Sequence, residues 1–174
     1  LSHRFQAAPW SNLLKLSSAL STLLLFAVSY ASSRVIPSQP VAHLVSTLVA
    51  VLPMLILTGS LLFVVNGYEL DARELRVQRL LWQTRIPLAH LQDVSPQPTL
   101  HKGSLRIFGN GGMFSFTGWF YRRDVGRYRA LITDWKQAVV LHTDTLRLVI
   151  SPADPAAFVR TVHHLYPATT RRQR

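Results

Sequence analysis

The sequence predicts a mixed fold: an N-terminal two-helix transmembrane hairpin followed by a small all-β barrel of about seven strands, capped by one C-terminal α-helix. Three observations carry that expectation. No Asp, Glu, Lys or Arg lies between Arg34 and Glu69, and a second uncharged run, Leu16 to Ser33, precedes it. Beyond Tyr68 the apolar pattern changes to short alternating runs separated by turn-formers.

The later uncharged run has its core at Val41 to Val65, which as helix is about 37 Å long, enough to cross a hydrocarbon layer of about 30 Å with some tilt. The earlier run, centred on Leu23 to Phe26, is just long enough to span. Trp10 and Lys15 flank its start as interface residues do, and Arg34, Pro37 and Pro40 mark a short connection. The expected division is a hairpin in 1–66, with helices at about 16–33 and 41–65, a domain in 67–166, and a basic disordered tail in 167–174. A rival reading makes the first run a secretory signal, with Lys15 ending its positive region and Ser29-Tyr30-Ala31 resembling a cleavage site. The length of the run argues for a span. The first residue is Leu, which leaves the true start of the chain open.

Arg4 and Lys15 stand before the first span, Arg34 alone lies in the loop, and Arg73, Arg76 and Arg79 follow the second, so both termini are expected on the cytoplasmic side. Pro53 and Gly59 predict a kink in the second span. No carboxylate accompanies them and His43 sits near the outer end, so a pump or channel is not expected.

In the domain, Tyr68 to Leu70, a turn at Asp71-Ala72-Arg73, and Glu74 to Gln78 read as a hairpin. Leu81 to Leu88 follows as a strand with Trp82, Thr84 and Ile86 on one face and Gln83 and Arg85 on the other; Pro87 points to an edge. Ser104 to Phe108 leads into a hairpin turn at Gly109-Asn110-Gly111-Gly112 and back along Met113 to Tyr121. Tyr128 to Thr133, Ala138 to Thr143 and Thr145 to Ile150 complete the strands. Asp154 as N-cap, Pro155 in the first turn, and Phe158, Val162 and Leu165 on one stripe predict an amphipathic closing helix.

Composition narrows the function. The 174 residues include no cysteine, which excludes disulfides, thiolate metal sites and cysteine nucleophiles. The net charge is +11, yet only Arg4, Lys15 and Arg34 of the 19 Lys and Arg residues precede Gly67. A basic domain tethered beside a bilayer meets anionic headgroups, each nearby Lys or Arg contributing about 1 kcal/mol. Nucleic acid is not expected, because the positive charges are scattered singly and no RNA-binding signature appears.

Seven strands plugged by one C-terminal helix is the pleckstrin-homology arrangement. Tyr68-Glu69-Leu70 with Leu75, Arg85-Ile86-Pro87-Leu88 with Asp93-Val94, and Phe108-Gly109-Asn110-Gly111-Gly112 resemble the bacterial PH-domain family of small membrane proteins. Gly118-Trp119-Phe120, Val125-Gly126-Arg127-Tyr128 and Val149-Ile150-Ser151-Pro152-Ala153-Asp154-Pro155-Ala156-Ala157-Phe158 extend the resemblance from Tyr68 to Leu165. It implies a PH-like fold and a habit of membrane anchoring, hence the bacterial inner membrane. It implies no reaction and no shared catalytic or ligand residues.

No catalytic constellation is readable. The glycine cluster lacks a third glycine at Phe114 and any following Lys-Ser/Thr, so a tight hairpin is preferred to a nucleotide site. His163 and His164 point in different directions on a helix, and no G-x-S-x-G occurs. No cofactor or metal is expected. The most suggestive surface element is Trp119-Phe120-Tyr121-Arg122-Arg123, because aromatics beside guanidinium groups suit a headgroup interface, with Lys102 and Arg106 able to join across the hairpin. The plainer alternative, favoured by the routine use of aromatics in strands, is that the aromatics fill the barrel and the arginines are solvated. The expected function is a non-enzymatic, membrane-anchored module that offers a cytoplasmic surface to a protein partner. The alternative is a sensor of anionic lipid headgroups, and a transporter or membrane-enzyme subunit ranks below both.

Overall fold

The computed structural model describes residues 2–35, 39–88 and 90–167. Pro37 of the expected connection and the expected tail beyond Pro167 lie outside the described residues. In chain order the elements are β1 (His3–Gln6), α1 (Asn12–Ser33), α2 (Pro40–Leu62), β2 (Gly67–Leu70), β3 (Glu74–Gln78), β4 (Gln83–Pro87), β5 (Leu91–Pro96), β6 (Leu105–Gly111), β7 (Phe116–Arg122), β8 (Gly126–Ile132), β9 (Val139–Thr143), β10 (Arg147–Ile150) and α3 (Pro155–Leu165).

Helix α1 begins ahead of the apolar run because the Ser11 hydroxyl accepts from the Leu14 amide at 3.2 Å and caps it. Helix α2 starts on Pro40, whose missing amide costs nothing in the first turn, and carries Pro53 inside. Both are long and apolar enough to cross a membrane. They pack side by side, and the Ser29 hydroxyl donates to the Ala50 carbonyl at 2.5 Å. Their outer faces expose large apolar side chains such as Leu23, Leu24, Leu48 and Leu55.

The strands form two sheets, ordered β1-β2-β3-β4 and β5-β9-β10-β8-β7-β6. All neighbours are antiparallel except β8 and β10. The broad class matches the expectation, but the sheets do not close into a barrel, and ten strands stand among the described residues where about seven were expected. Strand β1 comes from the segment expected only to flank the first span; it pairs with β2 in the register Phe5↔Tyr68. Strand β5 pairs with β9. Neither has a long alternating pattern, and both are fixed by their partners.

Two local readings shift. The strand expected from Leu81 begins at Gln83, because Leu80 and Leu81 form the β3–β4 turn and Trp82 packs on Phe63 with ring centroids 5.2 Å apart. The glycine cluster is strand: β6 continues to Gly111, and the turn is displaced to residues 112–115. Asn110 makes that displacement, since its side-chain oxygen accepts from the amides of Gly112 at 3.3 Å and Met113 at 2.8 Å. Strand β6 exposes Leu105, Ile107 and Phe108 at the open edge of its sheet.

Two apolar clusters hold the domain. One lies between the sheets, with Leu70, Leu75, Leu131, Leu141 and Ile150, and receives Phe158 and Val162 from α3. Asp154 caps α3 as expected, accepting from the Ala157 amide at 2.9 Å. The other lies on the opposite face of the six-stranded sheet, where Phe120, Tyr128 and Trp135 surround Leu14 of α1. The start of α1 is therefore part of the domain core, not a free stalk.

A buried polar knot joins the two regions. The Tyr68 hydroxyl donates to the Leu131 carbonyl at 2.7 Å and accepts from the Ser151 amide at 3.0 Å. The Ser151 hydroxyl accepts from the Thr133 amide at 2.9 Å, and the Thr133 hydroxyl donates to the Ala8 carbonyl at 2.7 Å. No buried polar side-chain atom is left without a partner among the described residues, as burial demands.

Candidate functional site

A cavity of about 580 Å³ opens between the last two turns of α2 and the β6–β8 face of the six-stranded sheet. The sheet pattern builds its floor. Trp119 pairs with Arg129 and Thr117 with Leu131 across β7 and β8, so one face presents a ring, a guanidinium and an aliphatic side chain together. Beside them, Gly109 of β6 stands opposite Gly118 of β7. Both have positive φ, and a Cβ on Gly118 would collide with the Phe108 carbonyl oxygen. These two glycines let the backbones approach and leave their own part of the floor without side chains.

Three arginines reach the cavity from separate elements: Arg79 after β3, Arg106 on β6 and Arg129 on β8. Arg79 is only 8% exposed. It donates to the Phe63 carbonyl at 2.6 Å and to the Thr84 hydroxyl at 3.0 Å, and its guanidinium lies over the Phe63 ring at 5.4 Å. Burial holds its pKa below the usual arginine value, and the nearby charge of Arg129 adds to that. No Asp or Glu lines the cavity, and none of the three arginines forms an ion pair with a described residue. Ile56, Phe63, Phe108 and Trp119 supply apolar walls. The Arg127 guanidinium lies over the Trp119 ring at 4.3 Å, a cation–π contact.

Guanidinium groups with no carboxylate beside them in a half-apolar cleft attract an anion. Their planar donors match phosphate or carboxylate oxygens, and charge-assisted bonds of this kind are about twice as strong as neutral ones. An anion placed here would also relieve the repulsion between Arg79 and Arg129. Among the described residues no cluster of His, Cys, Asp or Glu is arranged to hold a metal.

The residues singled out from sequence separate into two groups. Arg106 and Trp119 line the cavity. Lys102, Arg122 and Arg123 lie past it toward the end of β7, where Arg122 stands three residues, about 10 Å at 3.3 Å per residue, from Trp119 of the cavity. There Arg122 is bound to Asp124 at 2.8 Å and to the Leu100 carbonyl at 3.4 Å, while Lys102 and Arg123 are exposed. Sequence reasoning missed Arg79, Arg129, Phe63 and Phe108. The signal for Arg129 was present in the alternation Arg127, Arg129, Leu131, which puts charge on the same strand face as a core leucine. Arg79 and Phe63 carried none, because only the fold brings the end of β3 to the end of α2.

A family model described as Bacterial PH domain matches residues 66–165. No curated protein and no solved structure matches the chain.

Proposed function

The chain belongs to the bacterial PH-domain family, and from that premise we propose that it is a membrane-anchored, non-enzymatic binding module whose ligand is the anionic headgroup of a membrane lipid. In this reading α1 and α2 cross the bacterial inner membrane, and the domain stands at the cytoplasmic face. The observation that carries the proposal is the cavity against the end of α2, where three arginines and no carboxylate meet apolar walls. A soluble anion would need only the charge. The adjoining Ile56, Phe63 and Phe108 suit a ligand that is anionic at one end and apolar at the other. PH domains are binding modules, and fold alone does not choose their ligand; the choice rests on this site.

The test is lipid retention by the full chain, read by native mass spectrometry from detergent micelles containing phosphatidylglycerol and phosphatidylethanolamine. The expected result is preferential retention of phosphatidylglycerol, reduced at least fivefold by Arg106→Gln with Arg129→Gln. Neither residue ties the backbone together as Arg79 does, so the fold should survive. Equal retention of both lipids, or retention indifferent to the double variant, would contradict the proposal. The protein-partner reading is favoured by one observation of its own. Strand β6 leaves an open sheet edge with Leu105, Ile107 and Phe108 exposed, which is where a partner strand would add.

A further inference from the structure

We infer that the β3–β4 turn is a membrane-inserting tip, with Leu80 and Leu81 entering the boundary between headgroups and acyl chains and Trp82 anchoring beside them. This rests on the reading that α1 and α2 span the membrane, and it goes beyond that reading by assigning the domain a second, separate contact with the bilayer.

The residues at this turn are not those a turn requires. Gln78 pairs with Gln83, and the Arg79 amide donates to the Trp82 carbonyl at 3.0 Å, which leaves a loop of only Leu80 and Leu81. Two-residue hairpin loops favour Asn-Gly or Asp-Gly because their twist calls for positive φ. Here two leucines occupy it, neither with positive φ. They are 58% and 74% exposed, adjacent, and capped by no other part of the domain. Single exposed leucines are ordinary on a protein surface, whereas a pair at a hairpin tip, followed by the partly exposed Trp82, has the composition of a membrane interface.

Its position agrees. The turn leaves the domain at the end from which α2 arrives: the Asn66 amide donates to the Gln78 carbonyl at 2.9 Å, Arg79 grips the carbonyl of Phe63 just after α2, and Trp82 packs edge-on against the Phe63 ring. The neighbouring β6–β7 turn marks the same level on the other helix. There the Ser17 hydroxyl donates to the Gly112 carbonyl at 2.6 Å, and the Ser18 hydroxyl accepts from the Phe114 amide at 2.8 Å. Equal rise along both helices from the Ser29–Ala50 contact puts Ser18 level with Leu61. Both turns therefore sit where the helices emerge from the domain. The Leu80-Leu81 tip is the one that presents exposed aliphatic side chains at that level, and the bilayer is the occupant that lies there.

The chain has no cysteine, so a nitroxide on Leu81→Cys is a unique reporter. The full chain is placed in nanodiscs of phosphatidylglycerol and phosphatidylethanolamine, and collision rates with oxygen and with a water-soluble nickel chelate are compared. Labels on Leu48→Cys, in the middle of α2, and Arg123→Cys, at the far end of the sheet, serve as lipid and water references. The expected result is an oxygen-to-nickel ratio at position 81 at least threefold above that at position 123. A ratio at 81 equal to that at 123, with a lipid-like ratio at 48, overturns the tip while leaving the spans intact. A water-like ratio at 48 overturns the spans, and the tip with them.

Discussion

Tyr68 carries its hydroxyl into the core and makes the contact from which the rest of the polar knot hangs. Replacing it with Phe leaves the Leu131 carbonyl and the Ser151 amide buried without their partner, so Tyr68→Phe is expected to lower unfolding stability by about 1 to 3 kcal/mol. Chemical denaturation in detergent measures this. Burial also raises the Tyr68 pKa to about 12, the largest cause being loss of water around the phenolate. A raised pKa means the folded state holds the proton more tightly than the unfolded chain. Stability from this group is therefore complete below about pH 10 and is lost as pH rises from about 10 through about 12, a change on the order of 2 to 3 kcal/mol. Tyr166 has its pKa raised to about 12 as well, by burial and then by Asp71, and adds loss in the same window. The alkaline slope should be shallower in Tyr68→Phe; an unchanged slope would contradict the assignment. Both Tyr68 and Ser151 stand out in the sequence as part of the family resemblance. Their meeting is not legible there, because it joins residues 83 apart through a fold that pattern alone does not specify.

The elements were legible in proportion to how local their causes are. The two apolar helices and α3 announce themselves by run length, stripe and cap, and these signals need no partner. Strand β1 is four residues whose structure depends on β2, and the apolar residues of β6 say nothing of which face or edge they will occupy. The close pairing of β6 and β7 depends on Gly109 and Gly118. Gly118→Ala should cost more than about 1 kcal/mol, since its φ is positive and the new methyl group would press on Phe108. At the β3–β4 turn the expected change is in lipid contact and not in stability. Neither leucine there has positive φ, so Leu80→Ser with Leu81→Ser keeps the backbone of the turn and should leave the melting temperature in detergent within a few degrees, while lowering contact of Trp82 with brominated lipid in nanodiscs. Unchanged lipid contact would count against the tip.

At the scale of the whole molecule, the helices and the domain are one packed object. Leu14 of α1 is fully buried in the domain, Ser17 and Ser18 bond to the β6–β7 turn, and Phe63 after α2 is held by Arg79. That rigid joint explains why the cavity lies where it does: its walls are shared between the last turns of α2 and the sheet, so it exists only when both are in place. Two of the five residues singled out from sequence reach it. The other three lie past it toward the end of β7, Arg122 about 10 Å along the strand from Trp119, a separation that strand counting gives only once the register is known. The central claim is that this cavity takes the anionic headgroup of a membrane lipid. The most direct measurement replaces Phe108, 77% exposed at the cavity rim, with a photoreactive phenylalanine analogue in cells and identifies what is captured on irradiation. The account predicts an adduct with the mass of an anionic phospholipid, diminished when Arg106 and Arg129 are changed to Gln. Capture of a single protein in place of lipid, or of zwitterionic lipid irrespective of those arginines, would contradict it.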